Sequence, residues 1–404
     1  MIAKKQPGTG KRPPVPFRSF TGDIRGNPLA PDPPPLHFPG MPPTHTRAIR
    51  IERLGAPEVL VEREIPLPDP APDQVHLRIA AAGVNFADLV MRAGLYGTVP
   101  DIPYSPGFEV TGEIVRVGSA VKDWAPGDRA AAVIRFGGYA RDAIVPTRNL
   151  FRYPGVLSPA EAAAMPVVFL TAWMALFEAA RVRAGETALV LVAAGGVGSA
   201  AVQLARWRGL RVVGTAGSER KRRFVTETLG AEGCFDSSGP WEDQVRALVG
   251  DRGIDCALDA MGGAATAACR RLLAPLGRLV FYGMSTGMPG RKRSWPAAVA
   301  SYLRTPRFHP LSLVEPSIGV FGIHLLHLQA KEAVARQAME QIYRAAQAGE
   351  LKPVLDRTFP LTRDGAVAAH HYLHDRKNIG KVVLEADAAT PPHTTPPAPA
   401  SRPG

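Results

Sequence analysis

The 404-residue sequence is poor in cysteine, with only Cys234, Cys256 and Cys269. No two of them have the spacing of a zinc or dithiol redox motif, which argues against a structural zinc lobe and a disulfide-exchanging active site. An odd, sparse cysteine count is typical of proteins in a reducing compartment. We therefore expect a cytoplasmic protein.

Long hydrophobic runs are also lacking. The longest, residues 162–177, is shorter than a membrane span and contains Pro166. The N-terminal residues include no apolar segment of the length found in secretory signals. These absences predict a soluble protein.

Proline is abundant but unevenly spread, with 12 of the 40 prolines in residues 1–46 and six in residues 388–404. Neither segment shows a periodic apolar pattern, so neither can bury enough surface to offset the entropy of ordering. We predict disordered tails at 1–46 and 387–404, with Met41 as an alternative start.

Positive charge dominates, with a formal net charge of +12. A basic balance can indicate nucleic acid or an anionic membrane, but no basic–aromatic stripe accompanies the charge as a whole, so we expect no specific nucleic-acid partner. One stretch, 284–317, mixes aromatics such as Trp295 with the cations of 291–293. It could form a lid or a peripheral membrane contact, although an exposed loop with solvated charges is the simpler interpretation.

A glycine cluster, Gly195, Gly196, Val197 and Gly198, follows an apolar β-type run and precedes a helix-like segment. Glycines let the backbone approach a pyrophosphate, and the helix N-terminus offers unpaired N–H groups and the positive end of its dipole. Ala193 replaces the first glycine of the usual Gly-x-Gly-x-x-Gly pattern. The order of strand, turn, helix and a second strand at 211–215 nevertheless predicts a dinucleotide site.

The coarse pattern divides the chain into two kinds of structure. Short strand-like runs bounded by Gly and Pro fill 47–168, and strands alternate with helices further on. We predict an α/β protein with a β-rich domain at 47–168, completed by 319–386, and a doubly wound parallel-sheet domain at 169–318. The stretch 284–317 is expected to be rich in loops.

A set of motifs runs in a fixed order through 47–386: 82–88 (AGVNFAD), 92–96, 106–109 (PGFE), 171–173, 193–198 (AAGGVG), 277–283, 320–325 and 378–384. Their joint order resembles the medium-chain dehydrogenase/reductase superfamily, in its zinc-independent quinone oxidoreductase branch and near the vesicle amine transport protein 1 (VAT-1) group. The resemblance implies a GroES-like catalytic domain on a Rossmann domain, with nicotinamide chemistry in the cleft. It also implies a homodimer joined at a Rossmann sheet edge, for which 277–283 is the candidate strand.

No metal site is predicted. Zinc-dependent relatives carry a Cys ligand in the first motif and a Gly-His-Glu ligand in the second, whereas this chain has Val84-Asn85 and Phe108 there. Catalytic zinc needs three Cys, His or carboxylate ligands, and phenylalanine supplies none. The two histidine groups, His324/His327 and His370/His371/His374, have no Cys or acidic partner at ligand spacing.

NADPH is the predicted cofactor. An NAD-preferring unit places Asp or Glu about 20 residues past the glycines, but residues 215–218 contain no carboxylate and cations follow at 220–223. A hydroxyl and a cation can make charge-assisted bonds to a 2′-phosphate, and by resemblance Ser218 and Lys221 are the candidates. The alternative is a solvated basic helix start.

The resemblance also assigns the other site residues. Asn85 and Tyr96 are the candidate catalytic residues, Asn85 as a hydrogen-bonding group and Tyr96 as a cleft hydroxyl. Asn85 could instead cap a turn, and Tyr96 could be an ordinary aromatic wall. The remaining candidates for cofactor binding are Thr171, Gly283, Phe321, Gly322, Asn378 and Lys381.

Without zinc to polarise an alcohol, we expect hydride transfer from NADPH to a quinone or conjugated enone. One alternative is an enoyl-thioester reductase. Another is a non-catalytic NADPH-binding adaptor for membranes or RNA, of the VAT-1 or crystallin type.

Overall fold

Strands and helices were traced in a computed structural model that describes residues 44–96, 101–288, 294–325 and 331–386. The strands are β1 (His45–Ile51), β2 (Leu60–Pro66), β3 (Gln74–Val84), β4 (Glu109–Val117), β5 (Arg129–Val133), β6 (Asp142–Pro146), β7 (Leu150–Phe151), β8 (Thr187–Val190), β9 (Arg211–Ala216), β10 (Gly233–Asp236), β11 (Ile254–Asp259), β12 (Leu273–Phe281), β13 (Gly319–Gly322), β14 (Leu355–Pro360) and β15 (Lys381–Glu385). The helices are α1 (Phe86–Arg92), α2 (Pro159–Ala163), α3 (Pro166–Trp173), α4 (Gly196–Trp207), α5 (Glu219–Arg223), α6 (Trp241–Val249), α7 (Ala264–Leu272), α8 (Trp295–Arg304), α9 (Leu311–Val314), α10 (Glu332–Gln347) and α11 (Arg363–His374).

Two larger sheets carry the architecture. The first has the order β14-β15-β3-β4-β5-β7, with β6 also paired to β3, and all its pairs except β14–β15 are antiparallel. The second is a six-stranded parallel sheet of order β10-β9-β8-β11-β12-β13. Parallel strands are connected by helices that cover both faces, which explains the near-continuous burial of β8 and β11. The predicted α/β fold class is confirmed.

The two sheets meet at the glycine cluster. Gly380, just before β15, donates its backbone N–H to the Ala194 carbonyl oxygen at 2.8 Å, and an isolated parallel bridge pairs Gly195 with Gly380. The φ of Gly380 is +80°, and a Cβ there would collide with Val354, so this position requires glycine. The last strand of the first sheet is thereby fixed against the turn that opens α4.

Three details differ from the sequence prediction. Strand β13 pairs with β12 in the parallel sheet, so residues 319–322 extend the second sheet instead of completing the first domain. For the same reason 277–283 is not an edge, because β12 is paired on both sides and β13 is the outer strand at that end of the sheet. The expected loop at 284–317 contains the ten-residue helix α8, whose N-cap Ser294 accepts a hydrogen bond from the Ala297 N–H.

Several predictions on the chain ends lie mostly outside the described residues. The tails at 1–46 and 387–404 overlap them only at 44–46, where β1 begins at His45. The basic run 291–293 and His327 also lie outside them.

One stretch is long and apolar enough to span a membrane by composition alone. It covers Pro159–Ala179, has a mean hydropathy of 1.6, and 83% of its most apolar window is buried inside the protein. That burial is typical of a core helix, and Phe169, Leu170 and Ala172 of this stretch belong to the largest hydrophobic cluster.

Candidate functional site

The glycine turn has the shape that a pyrophosphate requires. Helix α4 begins at Gly196 directly after the turn, and the first N–H groups of a helix have no intrahelical acceptor. A Cβ on Gly198 would overlap the Val192 carbonyl oxygen and approach the Ala193 Cα at 2.8 Å, so helix and strand are in backbone contact there. The residues therefore fit the diphosphate of a dinucleotide, bound at the N-terminus of a 12-residue helix.

The end of β9 carries cations and hydroxyls. Ser218 is the exposed N-cap of α5, and its side chain accepts from the Lys221 N–H at 3.4 Å. The Lys221 Nζ donates to the Arg376 carbonyl oxygen at 2.6 Å. Burial lowers the pKa of Lys221, and the neighbouring cations Arg376 and Arg220 lower it further, while Asp356 opposes them. A bound anion would reduce the electrostatic repulsion among Lys221, Arg376 and Arg220.

A buried three-residue network lies beneath the glycine turn. The Lys381 Nζ donates to Glu109 Oε1 at 2.6 Å, to Asn85 Oδ1 at 2.9 Å and to the Val84 carbonyl oxygen at 3.0 Å. Asn85 in turn donates its Nδ2 to Glu109 Oε1 at 2.9 Å. The Lys381 and Glu109 side chains are 4% and 0% exposed. We define these three residues as the Lys381–Glu109–Asn85 network.

The network accounts for the side-chain contacts of two predicted site residues, Lys381 and Asn85. All three ammonium donors of Lys381 have acceptors within the protein, so the side chain makes no outward contact that could hold a phosphate. Its Cδ lies 3.2 Å from where a Gly196 Cβ would be, which places it directly under the turn. The Asn85 amide is engaged with Lys381 and Glu109. Both roles in cofactor binding or catalysis stay predictions, and a positioning role is what the contacts show.

Asn85 also occupies the N-cap position directly before α1. Its backbone N–H donates to Asp88 Oδ2 at 2.8 Å, and the Gly107 N–H donates to Asp88 Oδ1 at 2.9 Å. Asp88 is fully buried, and desolvation raises its pKa to about 7 although these N–H groups favour the anion. The motifs at 82–88 and 106–109 are therefore tied together by one carboxyl group.

Tyr96 lies at the junction of the two sheets. It follows α1, and its hydroxyl is 2.8 Å from Nε2 of His324, which follows β13. The rings are tilted by 58° with centroids 5.5 Å apart. Burial raises the pKa of Tyr96, and the negative charge of Asp88 raises it further. The hydroxyl therefore stays protonated at neutral pH.

The remaining predicted residues are Thr171, Asn378, Gly283, Phe321 and Gly322. The Thr171 hydroxyl donates to the Val167 carbonyl oxygen at 2.7 Å, and the Asn378 Nδ2 donates to the Gly380 carbonyl oxygen at 2.7 Å. Gly283 follows β12, and a Cβ there would lie 3.2 Å from the Ala260 carbonyl oxygen. Phe321 and Gly322, in β13, are exposed, Phe321 to 42%. Their contacts with a cofactor stay predictions.

Two histidines of α11, His370 and His374, are buried in the interior. Arg92 is fully buried; its Nε donates to His370 Nδ1 at 3.2 Å, and its Nη2 lies 2.7 Å from His374 Nε2. Burial lowers the pKa of His370 well below its usual value, so it is a neutral acceptor. Among the described residues, no three His, Cys, Asp or Glu side chains group in a way that could hold a metal ion.

Sequence reasoning missed two residues of this site. Glu109 ends the 106–109 motif, and an acidic residue at the start of a buried strand was the available signal. His324 was considered only as a metal candidate. Its partner Tyr96 is 228 positions away, so no local pattern could pair them.

Comparisons with known proteins agree with this geometry. Two family models match, the alcohol dehydrogenase GroES-like domain over residues 71–155 and the zinc-binding dehydrogenase over residues 196–309. The synaptic vesicle membrane protein VAT-1 homolog of Rattus norvegicus is 35% identical over 318 residues, covering 78% of this chain and 78% of that protein.

Solved structures give the same result. The quinone oxidoreductase from Thermus thermophilus, described also in complex with NADPH, is 35% identical with a TM-score of 0.69, over 84% of this chain and 99% of that one. The CurK enoyl reductase is 25% identical with a TM-score of 0.72, over the same shares of the two chains. The resemblance drawn from the motifs is thus confirmed: the chain belongs to the medium-chain dehydrogenase/reductase superfamily, in the branch that contains quinone oxidoreductases and VAT-1 homologues.

Proposed function

We propose that the protein is an NADPH-dependent reductase of quinones or conjugated enones. The observation that carries the proposal is the end of β9, where Ser218 and Lys221 stand in place of a carboxylate, beside a glycine turn shaped for a diphosphate. The relative from Thermus thermophilus, described as a quinone oxidoreductase with NADPH, supports both the proposed cofactor and the proposed substrate class.

In this proposal, the residues have separate roles in binding the cofactor and in shaping the site. The first-turn N–H groups of α4 hold the diphosphate, and Ser218 and Lys221 hold the 2′-phosphate. Thr171, Gly283, Phe321 and Gly322 are the proposed wall around the nicotinamide, which when bound supplies a hydride. The Lys381–Glu109–Asn85 network keeps the glycine turn and the start of α1 in fixed relation, and Tyr96 presents a protonated hydroxyl at the cleft.

Lys221→Ala is expected to weaken NADPH binding by about 10- to 100-fold, because a hydrogen bond to a charged group contributes about 1.5–3 kcal/mol. NADH affinity should change by less than about 2-fold, since the 2′-hydroxyl does not need the cation. Fluorescence titration with both cofactors measures this. Lys122→Ala, an exposed lysine between β4 and β5, is the control and should alter neither affinity. Equal losses for NADPH and NADH would contradict the assignment.

The acceptor class can be tested with the purified protein and NADPH. Oxidation of NADPH, followed by its absorbance, should accelerate with a panel of quinones or short enones and stay slow with enoyl thioesters. Turnover confined to the thioesters would make the protein an enoyl reductase, in line with its likeness to the CurK enzyme. Tight NADPH binding without turnover on any acceptor would favour a non-catalytic adaptor.

We further propose a cytoplasmic homodimer joined along β13, one of the two outer strands of the parallel sheet among the described residues. An outer strand presents unpaired N–H and C=O groups, which a second copy can satisfy. Sedimentation should then give about twice the chain mass of 43.1 kDa. A species at the chain mass across micromolar concentrations would refute the dimer.

A further inference from the structure

A chain of hydrogen bonds connects the buried cation Arg92 with the buried carboxyl group of Asp88. The Arg92 Nε donates to His370 Nδ1 at 3.2 Å. The His370 Nε2 lies 3.3 Å from the Tyr139 hydroxyl oxygen, and that oxygen lies 3.4 Å from Asp88 Oδ2. All four residues are fully buried. We define them as the Arg92–Asp88 chain.

The Arg92 cation fixes the direction of each bond in this chain. Burial lowers the pKa of Arg92 to about 10, so the guanidinium keeps its charge at neutral pH and can only donate. His370 Nδ1 must therefore accept, and the single ring proton of neutral His370 is on Nε2. Nε2 then donates to the Tyr139 oxygen, and the Tyr139 hydroxyl donates its own proton to Asp88.

Asp88 is consequently in contact with donors. Its partners in the described part of the chain are the Tyr139 hydroxyl and the backbone N–H groups of Asn85 and Gly107. An ionised carboxylate can accept from all three, whereas a protonated carboxyl group also carries an O–H that needs an acceptor. Tyr139 cannot take that role, because the Arg92–Asp88 chain would have to reverse and Arg92 fixes its direction. Protonation of Asp88 therefore breaks one of its three contacts.

These contacts position two segments of the candidate site. Asn85 is a member of the Lys381–Glu109–Asn85 network, and Gly107 is two residues before Glu109. The side chain of Lys381 packs under the glycine turn. The network thus connects the contacts of the buried carboxylate with the turn that is proposed to bind the diphosphate.

Burial is the largest influence on the pKa of Asp88 and raises it to about 7, within reach of ordinary pH changes. The backbone N–H donors and Lys381 of β15 oppose this rise, and Glu109 of β4 adds to it. Lys381 and Glu109 form an ion pair at 2.6 Å, so their effects on Asp88 have opposite signs and partly cancel. Tyr96 and Tyr104 stay neutral, because burial and the Asp88 charge raise the pKa of each. Asp88 is therefore the group of this cluster whose charge changes near neutral pH.

We propose that the ionised carboxylate of Asp88 holds the cofactor site in its binding form, that the Arg92–Asp88 chain keeps it ionised, and that its protonation weakens NADPH binding. The proposal rests on the proposed function in its effect on NADPH, whereas the chain itself is testable in the cofactor-free protein. Asp88 acts through Asn85 and Gly107 and is a positioning residue. By linkage, NADPH must in turn lower the pKa of Asp88 by the same free energy.

The pH dependence of NADPH affinity tests the effect on the site. In the wild type, we expect the dissociation constant to rise by about 10-fold on acidification through the range in which Asp88 titrates, the effect of one lost hydrogen bond to a charged group. Asp88→Asn imitates the protonated group, so its affinity should stay at the weak value of the acidic wild type and show no Asp88-dependent fall. Fluorescence titrations across the neutral pH range measure both.

Tyr139→Phe removes the last donor of the chain and keeps the aromatic ring. We expect it to raise the pKa of Asp88 by about one pH unit, because the carboxylate loses a hydrogen bond that favours the anion. The carboxyl carbon NMR signal of Asp88, assigned by its absence in Asp88→Asn, measures the titration in the cofactor-free protein. The pH at which NADPH affinity falls should move upward by the same amount.

Tyr153→Phe is the matched control for Tyr139→Phe. The Tyr153 hydroxyl accepts from Arg129 Nε at 3.0 Å, at the start of β5, outside the Arg92–Asp88 chain. Its loss should change neither the Asp88 titration nor the pH dependence of NADPH affinity. The control also records the titration of the cofactor phosphate, which all variants share.

The direction of the chain has its own test. In the wild-type protein without cofactor, the nitrogen NMR spectrum should show His370 with an unprotonated Nδ1 and a protonated Nε2 at neutral pH. His370→Gln identifies the two signals by their loss. This measurement needs no active variant and does not depend on NADPH.

Each outcome decides the proposal. A proton on Nδ1 of His370, or an Asp88 titration that Tyr139→Phe leaves unchanged, overturns the chain. An Asp88→Asn variant that binds NADPH as tightly as the wild type does at alkaline pH overturns the link to the cofactor site, while the proposed function stands. A wild-type protein that binds no NADPH removes the proposed function and that link, and the NMR measurements still decide the chain.

Discussion

Lys381→Met is expected to lower the free energy of unfolding by about 3–5 kcal/mol, the usual cost of removing one partner from a buried ion pair. Glu109 would keep its charge in an interior where its side chain is 0% exposed. Methionine fills most of the lysine volume, so the loss reports the missing charge and hydrogen bonds more than a cavity. Urea denaturation followed by circular dichroism measures it.

A second substitution shows whether the uncompensated carboxylate is the cause. Glu109→Gln in the Lys381→Met background should recover a large part of the loss, because the neutral amide can still accept from the Val167 N–H, now 2.7 Å from Glu109 Oε2. Lys377→Met is the matched control. Lys377 is 63% exposed in its ion pair with Asp375, so its loss should stay below about 1 kcal/mol. A Lys381→Met loss as small as that of the control would mean that the network is not a buried ion pair in solution.

The network also marks the boundary of what the sequence can predict. The glycine turn was predictable because strand, turn and helix are contiguous in the chain, within 189–206. The pairing of Glu109 with Lys381 joins residues 272 positions apart, and its geometry depends on how β15 returns to β3. No periodicity encodes that return; the order of family motifs suggested only that the last strand closes the first domain.

The two wrong predictions about the edge of the parallel sheet also arose because the sequence does not encode long-range strand order. Residues 277–283 and 319–322 both show the apolar pattern of a strand, and pattern alone does not say which of two neighbouring strands is outermost. Helix α8, in contrast, could have been predicted, because the sequence contains a local signal for its start. Ser294 followed by a proline at the second helical position is a helix start, and the mixed charges of the stretch obscured it.

Gly198→Ala is expected to abolish measurable NADPH binding and to lower the free energy of unfolding by about 3 kcal/mol, the range of substitutions that force backbone strain or overpacking. The added methyl group would overlap the Val192 carbonyl oxygen and the Ala193 backbone. Those are main-chain atoms of the turn itself, and Val192 already has a left-handed φ of 54° that a β-branched residue rarely adopts. The turn therefore has little freedom to relax, and the helix N-terminus must move away from the diphosphate position.

Gly155→Ala is the matched control for this substitution. A Cβ on Gly155 meets no atom within 4 Å, so the change should be neutral or stabilising by about 0.4–1 kcal/mol through the unfolded chain. Thermal unfolding with and without NADPH separates the two effects, since a ligand that binds the folded state raises the melting temperature. Gly198→Ala should lose both the intrinsic stability and the NADPH-dependent rise, while Gly155→Ala keeps both. A Gly198→Ala protein that is stabilised by NADPH as strongly as the wild type would show that the diphosphate does not bind at this helix N-terminus.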